Sequence, residues 1–341
     1  MARKRSTHRS AQVTLRDIAE RTGFTINTVS RALKDKDDIS APTRSLIKKV
    51  AEELQYIPNA LAASLRSGSL KTISVVIPDI SDPLFGIWVK DIEIELKEKN
   101  FDLFIQNTDE NDELEKRALR LAIGKKIDGI ILCPCQKDES NIEILKAAGI
   151  PFVLLGRRFA RQDIDYVMAD DEQGGYLATR HLLESGHRRV LFLNAPGCLY
   201  AARDRLAGYR RALLEQGVGF CPELVREVKI SIGEVTRELQ TVSEQKLDFT
   251  AIFCFDDLMA WEAICFLQSA GRRVPEDVAV VGFDDIQSEL YYPYPLSSIG
   301  YPKREIAKRC VSVLFEKINN PEADSYCQEL MKVRFVTRRS G

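Results

Sequence analysis

From Lys71 onward, short apolar runs alternate with amphipathic stretches of helical period, and that alternation leaves few folds open. The runs include Ile73–Ile77, Leu103–Ile105, Gly129–Leu132, Phe152–Leu155, Val190–Leu193, Ala251–Phe255 and Val278–Val281. The helical stretches include Ile87–Lys99, Glu113–Ile123, Gly174–Ser185, Arg205–Gln216 and Leu258–Ala270. Repeated βα units of this kind predict an α/β fold, a parallel sheet with helices on both faces. About 270 residues of such sequence exceed one ordinary sheet domain, so two similar lobes are expected.

The N-terminal segment has a different grammar. Residues 13–57 predict three short helices. Thr14 can cap the first with Asp17 as its reciprocal partner, and Leu15, Ile18 and Ala19 give it an apolar face. Gly23 breaks it in a left-handed turn. Thr25 starts the second, with Val29, Ala32 and Leu33 inward. Ser40 can cap the third, Pro42 lies in its first turn, and Leu46, Ile47, Val50, Ala51 and Leu54 follow at helical spacing. The stretch Asn59–Arg66 is helix-prone but too short to be stable alone in water, so it reads as a hinge ordered only when something holds it. The resulting division is a head over 1–58, a hinge and linker over 59–70, and a two-lobed core over 71–341.

The net charge of -1 hides an asymmetry: residues 1–71 hold 14 Lys+Arg against 7 Asp+Glu, and the rest holds 35 against 43. A head at +7 on a body at -8 suggests that the head alone meets a polyanion. No long apolar run suggests a membrane span, and the polar, basic start lacks the apolar core of a secretory signal. The eight scattered cysteines then read as reduced thiols in a cytoplasmic protein. Cys133 and Cys135 are spaced too closely for common zinc motifs.

Leu15 to Leu33 has the layout of a helix-turn-helix, with Ala19 at the packing point and Val29 buried. The second helix exposes Thr25, Ile26, Asn27, Thr28, Ser30 and Arg31. Asn can pair bidentately with adenine and Arg with guanine, while hydroxyls and the helix N-terminus suit phosphates. Any three-helix module shares part of this pattern, so the wider context has to decide.

That context is extensive. Val13-Thr-Leu-Arg-Asp-Ile-Ala-Glu-Arg-Thr-Gly23, Thr28-Val-Ser-Arg-Ala-Leu33, Ser40-Ala-Pro-Thr-Arg44, Tyr56-Ile-Pro-Asn-Ala-Leu-Ala-Ala-Ser-Leu65 and Ile73-Ser-Val-Val-Ile-Pro-Asp79 resemble the lactose/galactose repressor family of bacterial regulators. So do Glu184-Ser-Gly-His187, Arg205-Leu-Ala-Gly-Tyr209, Val274-Pro-Glu-Asp-Val278 and Val281-Gly-Phe-Asp-Asp285, in one order along the chain. The resemblance implies a repressor that acts as a homodimer, its two heads reading half-sites of a near-palindromic, double-stranded operator. It places Thr14, Ser30, Ser40 and Thr43 at phosphate contacts. It makes Asn59, Ala62 and Leu65 part of a hinge helix in the minor groove, Leu65 as a wedge and Ala62 facing its symmetry mate; an ordinary linker leucine is the alternative for Leu65. Ile26 departs from the polar or aromatic residues often found there and would read a thymine methyl or set spacing.

The resemblance also implies a small-molecule effector between two periplasmic-binding-protein-like lobes, near strand ends. The candidates are Phe85, Arg157, Arg205, Asp256, Asp284 and Tyr301, the last on a crossover strand. Two aspartates, two arginines and an aromatic suit a sugar or related polyol, and equally a structural ion-pair network at the seam. Asp256 stands where the family often carries Asn. It could favour an amine-bearing or donor-rich ligand, or be neutralised by Arg205. Nothing points to an enzyme: there is no nucleophile–base pairing among the three histidines, no phosphate loop, no metal spacing and no implied cofactor. The tandems Asp256-Asp257 and Asp284-Asp285 read better as strand-end clamps and helix caps than as acid/base pairs or a cation site.

Overall fold

The computed structural model describes residues 13–57, 68–292, 294–323 and 325–341. The chain divides into two compact units, Met1–Leu70 and Lys71–Gly341. In the first, helices α1 (Leu15–Thr22), α2 (Ile26–Leu33) and α3 (Ala41–Glu53) enclose Ile18, Val29, Ala32, Ile47 and Ala51. Their ends follow from the local sequence. Asp17 accepts hydrogen bonds from the backbone N–H and the hydroxyl of Thr14 at 2.7 and 2.8 Å. Thr25 accepts from the Thr28 N–H at 3.1 Å, and Ser40 from that of Thr43 at 3.4 Å. Gly23 adopts φ +73° and ends α1. Leu46 departs from the apolar stripe of α3 and is exposed. The hinge candidates Asn59, Ala62 and Leu65 lie outside the described residues.

The second unit contains two six-stranded sheets. In chain order its elements are β1 (Thr72–Ile77), α4 (Pro83–Glu98), β2 (Asp102–Asn107), α5 (Asp112–Gly124), β3 (Gly129–Leu132), α6 (Ser140–Ala148), β4 (Phe152–Leu155), β5 (Tyr166–Ala169) and α7 (Asp171–Glu184). There follow β6 (Val190–Asn194), α8 (Tyr200–Glu215), β7 (Val225–Glu227), α9 (Glu234–Glu244), β8 (Ala251–Cys254), α10 (Asp257–Ser269) and β9 (Ala279–Phe283). β10 (Ser297–Gly300), α11 (Lys303–Asn319), β11 (Gln328–Met331) and β12 (Arg334–Val336) complete it. The first lobe has strand order β11-β5-β4-β3-β1-β2, all parallel. The second has order β12-β10-β9-β8-β6-β7, parallel except for β12 against β10.

The chain crosses between lobes at Asp170, at Tyr301–Pro302 and at Lys332–Val333, because α7 packs on the second sheet and α11 on the first. Tyr301 therefore lies just past β10 in a connection, not on a strand as expected. Burial on both faces explains the apolar runs: β3, β6, β8 and β9 are buried along their whole length.

One close approach positions the rest. A Cβ on Gly175 of α7 would sit 2.2 Å from the Arg205 carbonyl oxygen of α8, and one on Gly208 would sit 2.0 Å from the Glu172 oxygen. Only glycines let the two helix backbones meet here. Gly208→Ala gains up to about 1 kcal/mol of helix propensity but must separate the helices, so a net destabilisation of about 1–3 kcal/mol is expected in urea unfolding. Stability equal to or above that of the parent chain would contradict this packing.

Candidate functional site

On the head, Thr25, Ile26, Asn27 and Arg31 are exposed along α2, with Thr28 and Ser30 half-buried beside them. Thr25 and Thr28 share a hydroxyl contact at 2.9 Å, as do Ser40 and Thr43 at 2.8 Å. Thr14, Thr25 and Ser40 thus order helix starts while keeping the N-terminal N–H groups on the outside, where an anion is favoured. Arg31 is paired with Asp38 at 2.6 Å, both half exposed. Sequence reasoning missed this competitor for Arg31; its one signal was the acidic Asp35–Asp38 stretch after α2.

In the core, Phe85, Arg157, Arg205, Asp256, Asp284 and Tyr301 all line one cleft. Phe85 stands in the first turn of α4 and Arg157 just past β4, both from the first lobe. Arg205 on α8, Asp256 after β8 and Asp284 after β9 come from the second, at the carboxyl ends of its strands. Among the other lining residues, Asp82, Trp88, Glu110 and Asp171 carry polar groups that were not singled out from the sequence.

The two guanidiniums choose these unanticipated partners. Arg205 donates through Nε to Asp171 at 2.8 Å, with a second nitrogen also at 2.8 Å, and through its remaining arm to the Phe255 carbonyl. It is sandwiched by the rings of Phe255 and Phe283 at 4.2 and 3.5 Å. Arg157 donates to Glu110 at 2.9 and 2.5 Å and to the Pro134 carbonyl at 2.7 Å. Asp256 is therefore not the partner of Arg205; it caps α10 by accepting from the Met259 N–H at 2.7 Å. Asp82 caps α4 through the Leu84 N–H at 2.9 Å, and Asp284 accepts from the Tyr301 hydroxyl at 2.7 Å.

The tandem aspartates divide their work. Asp257 accepts from the Ser298 hydroxyl at 2.6 Å and the Ile286 N–H at 2.8 Å, and Asp285 pairs with Arg338 at 2.6 Å. The second member of each tandem holds structure while the first lines the cleft. Asp284 sits at φ +97° and Asp285 at +48°, backbone conformations that cost a non-glycine residue energy and collect at ligand sites. Among the described residues, no group of three or more His, Cys, Asp or Glu is arranged to hold a metal ion.

Burial dominates the electrostatics. It raises Asp82 to about 7, with repulsion from Asp256 and Asp284 adding to it. It raises Asp256 to about 6 with help from Asp284, and Asp171 to about 6 despite the attraction of Arg205.

A family model described as bacterial regulatory proteins of the lacI family matches residues 14–59. One described as periplasmic binding proteins and the sugar binding domain of the LacI family matches residues 70–338. The chain belongs to the LacI family. It is 30% identical over 330 residues to the HTH-type transcriptional repressor PurR of Aliivibrio fischeri (strain ATCC 700601 / ES114), covering 96% of this chain and 98% of that one. Its fold matches a CelR–cellobiose complex with TM-score 0.74 at 28% identity, over 97% of this chain and 100% of that one. It matches the lac repressor dimer bound to operator and the anti-inducer ONPF with TM-score 0.85 at 25% identity, over 96% and 99%. Like its LacI-family relatives, the chain is a DNA-binding transcriptional regulator and not an enzyme. Among the described residues, no helix is long and apolar enough to cross a membrane.

The raised aspartate pKa values make the LacI-type core sensitive to pH. An unfolded aspartate titrates near 4, so between about pH 4 and 7 the folded cleft holds protons that the unfolded chain has released. That contribution to stability is complete below about pH 4 and is lost as pH rises through about 7. Asp82→Asn keeps the helix cap and removes one such group; Asp79, Asp256 and Asp284 are the charges that face it. The variant's Tm should therefore fall less than the parent's between about pH 5 and pH 8. Identical pH profiles would contradict the assignment.

Proposed function

We propose that this chain is a cytoplasmic repressor that binds a near-palindromic operator as a homodimer and releases it when a small sugar-like effector occupies the core cleft. The observation that carries the reading is the meeting of all six candidates, Phe85, Arg157, Arg205, Asp256, Asp284 and Tyr301, in one cleft of a chain that also carries a helix-turn-helix head. The working parts are the head over 1–58, a hinge over 59–70 and the core over 71–341.

On this reading Thr14, Ser30, Ser40 and Thr43 grip phosphates, and Ile26, Asn27 and Arg31 face base edges. Asn59, Ala62 and Leu65 form the hinge that enters the minor groove and bends it. Effector binding changes how the lobes sit and separates the paired hinges. The hinge helix, too short to persist alone, then melts, and the heads lose their common register. A sugar-binding domain in the family model and cellobiose in the CelR complex support the ligand class.

Arg31→Ala should lower discrimination between the operator and a single-base variant by about 1–3 kcal/mol, read by anisotropy titration of labelled duplexes. Unchanged discrimination would remove Arg31 from base readout. Removing Arg205 alone would strand a buried carboxylate, so the test of the cleft pairs Arg205→Ala with Asp171→Asn. This double variant should bind operator normally without effector and fail to release it when effector is added. A normal release would displace Arg205 from the site.

A further inference from the structure

The charge of the cleft does not balance, and the imbalance bears on what fills it. Its two guanidiniums are committed to carboxylates of their own, Arg157 to Glu110 and Arg205 to Asp171. Asp82, Asp256 and Asp284 remain, from both lobes, and among the described residues no lysine or arginine pairs with any of them. Asp256 is 8% exposed and Asp284 4%, so water cannot substitute fully for a counterion. Lys303, whose charge also acts on Asp284, donates to the Asp285 carbonyl at 2.9 Å and the Ser288 hydroxyl at 3.2 Å.

A neutral sugar fits this arrangement poorly. Its hydroxyls carry no charge to offset the carboxylates, and Arg157 and Arg205 each already spend three N–H groups on protein oxygens. Trp88 lines the cleft with a buried indole N–H that has no hydrogen-bond partner, a neutral donor that leaves the charge of the three carboxylates without a counterion. The remaining wall is aromatic: Phe85 and Trp88 meet edge to face at 5.9 Å, and Phe255 stands opposite on the second lobe. Carboxylates beside aromatic faces are the surroundings that stabilise an organic ammonium ion. Burial and repulsion from Asp256 and Asp284 push Asp82 up to about 7, and a bound cation relieves the repulsion.

We infer that the effector is a small protonated amine on a hydroxylated frame, an amino sugar or a close relative, rather than a neutral or phosphorylated sugar. The inference rests on the reading of this cleft as the effector site. The ammonium group takes the place between Asp82 on one lobe and Asp256 and Asp284 on the other, so that its binding draws the two lobes together.

The test is calorimetric titration of the full chain with matched sets: glucosamine, galactosamine and mannosamine, their neutral parent sugars, and the corresponding 6-phosphates. An amine is expected to bind at least about tenfold more tightly than its parent sugar. Asp256→Asn, which retains the cap on α10, should reduce that ratio by about tenfold, and Asp284→Asn should do the same. A neutral or phosphorylated sugar binding as tightly as the amine, and unaffected by Asp256→Asn, would overturn the inference while leaving the cleft as the effector site. Absence of binding by all three sets would overturn that reading and the inference together.

Discussion

The core is organised around one buried ion pair, Arg205 with Asp171, both under a tenth exposed. Taking two charges out of water costs several kcal/mol per ion, and their attraction offsets this only with good geometry and further hydrogen bonds. Those conditions are met by neighbours on four elements. Gly175 and Gly208 let α7 and α8 touch, which brings Arg205 over the first turn of α7. Two phenylalanine faces and the Phe255 carbonyl take up the rest of the guanidinium. With Arg205 committed in this way, its direct contacts go to Asp171, and it reaches Asp256 only by attraction through space.

The same logic of engaged and unengaged charge holds on the head. Its basic excess suits phosphate, an attraction that depends on salt and carries no sequence information. On the proposed reading sequence is recognised by the exposed face of α2, where Arg31 is held by Asp38. That pair is half exposed and so worth little in water. A partner of higher affinity can therefore replace it at small cost.

Much of this was legible in the sequence for identifiable reasons. Strands buried on both faces, such as β8 and β9, must be continuously apolar, and that signal survives without any structure. At the sheet edges β2 was legible, but β11 and β12 were not: β11 reads Gln-Glu-Leu-Met and is only half buried, and β12 is three residues long. Phe85, Arg157, Asp256 and Asp284 were visible because they stand at strand ends and helix starts, and Arg205 because its motif resembles that of the family. Their pairing was not, since a sequence does not say which carboxylate a guanidinium selects. Asp171 lay three residues before the expected start of its helix, and its role depends on a helix contact made by two glycines. Asp82 carried a readable sign, an acidic cap before Pro83, but its partners across the cleft come from the other lobe.

The account stands on a positively charged reader that recognises sequence under the control of a receptor. The most direct measurement is selection of duplexes from a random pool by the purified full chain, followed by titration of the enriched duplex and a scrambled one at moderate salt. The account predicts an enriched inverted repeat bound at least about a thousandfold more tightly than the scrambled duplex. Equal affinity for both, or enrichment of no symmetric sequence, would contradict it.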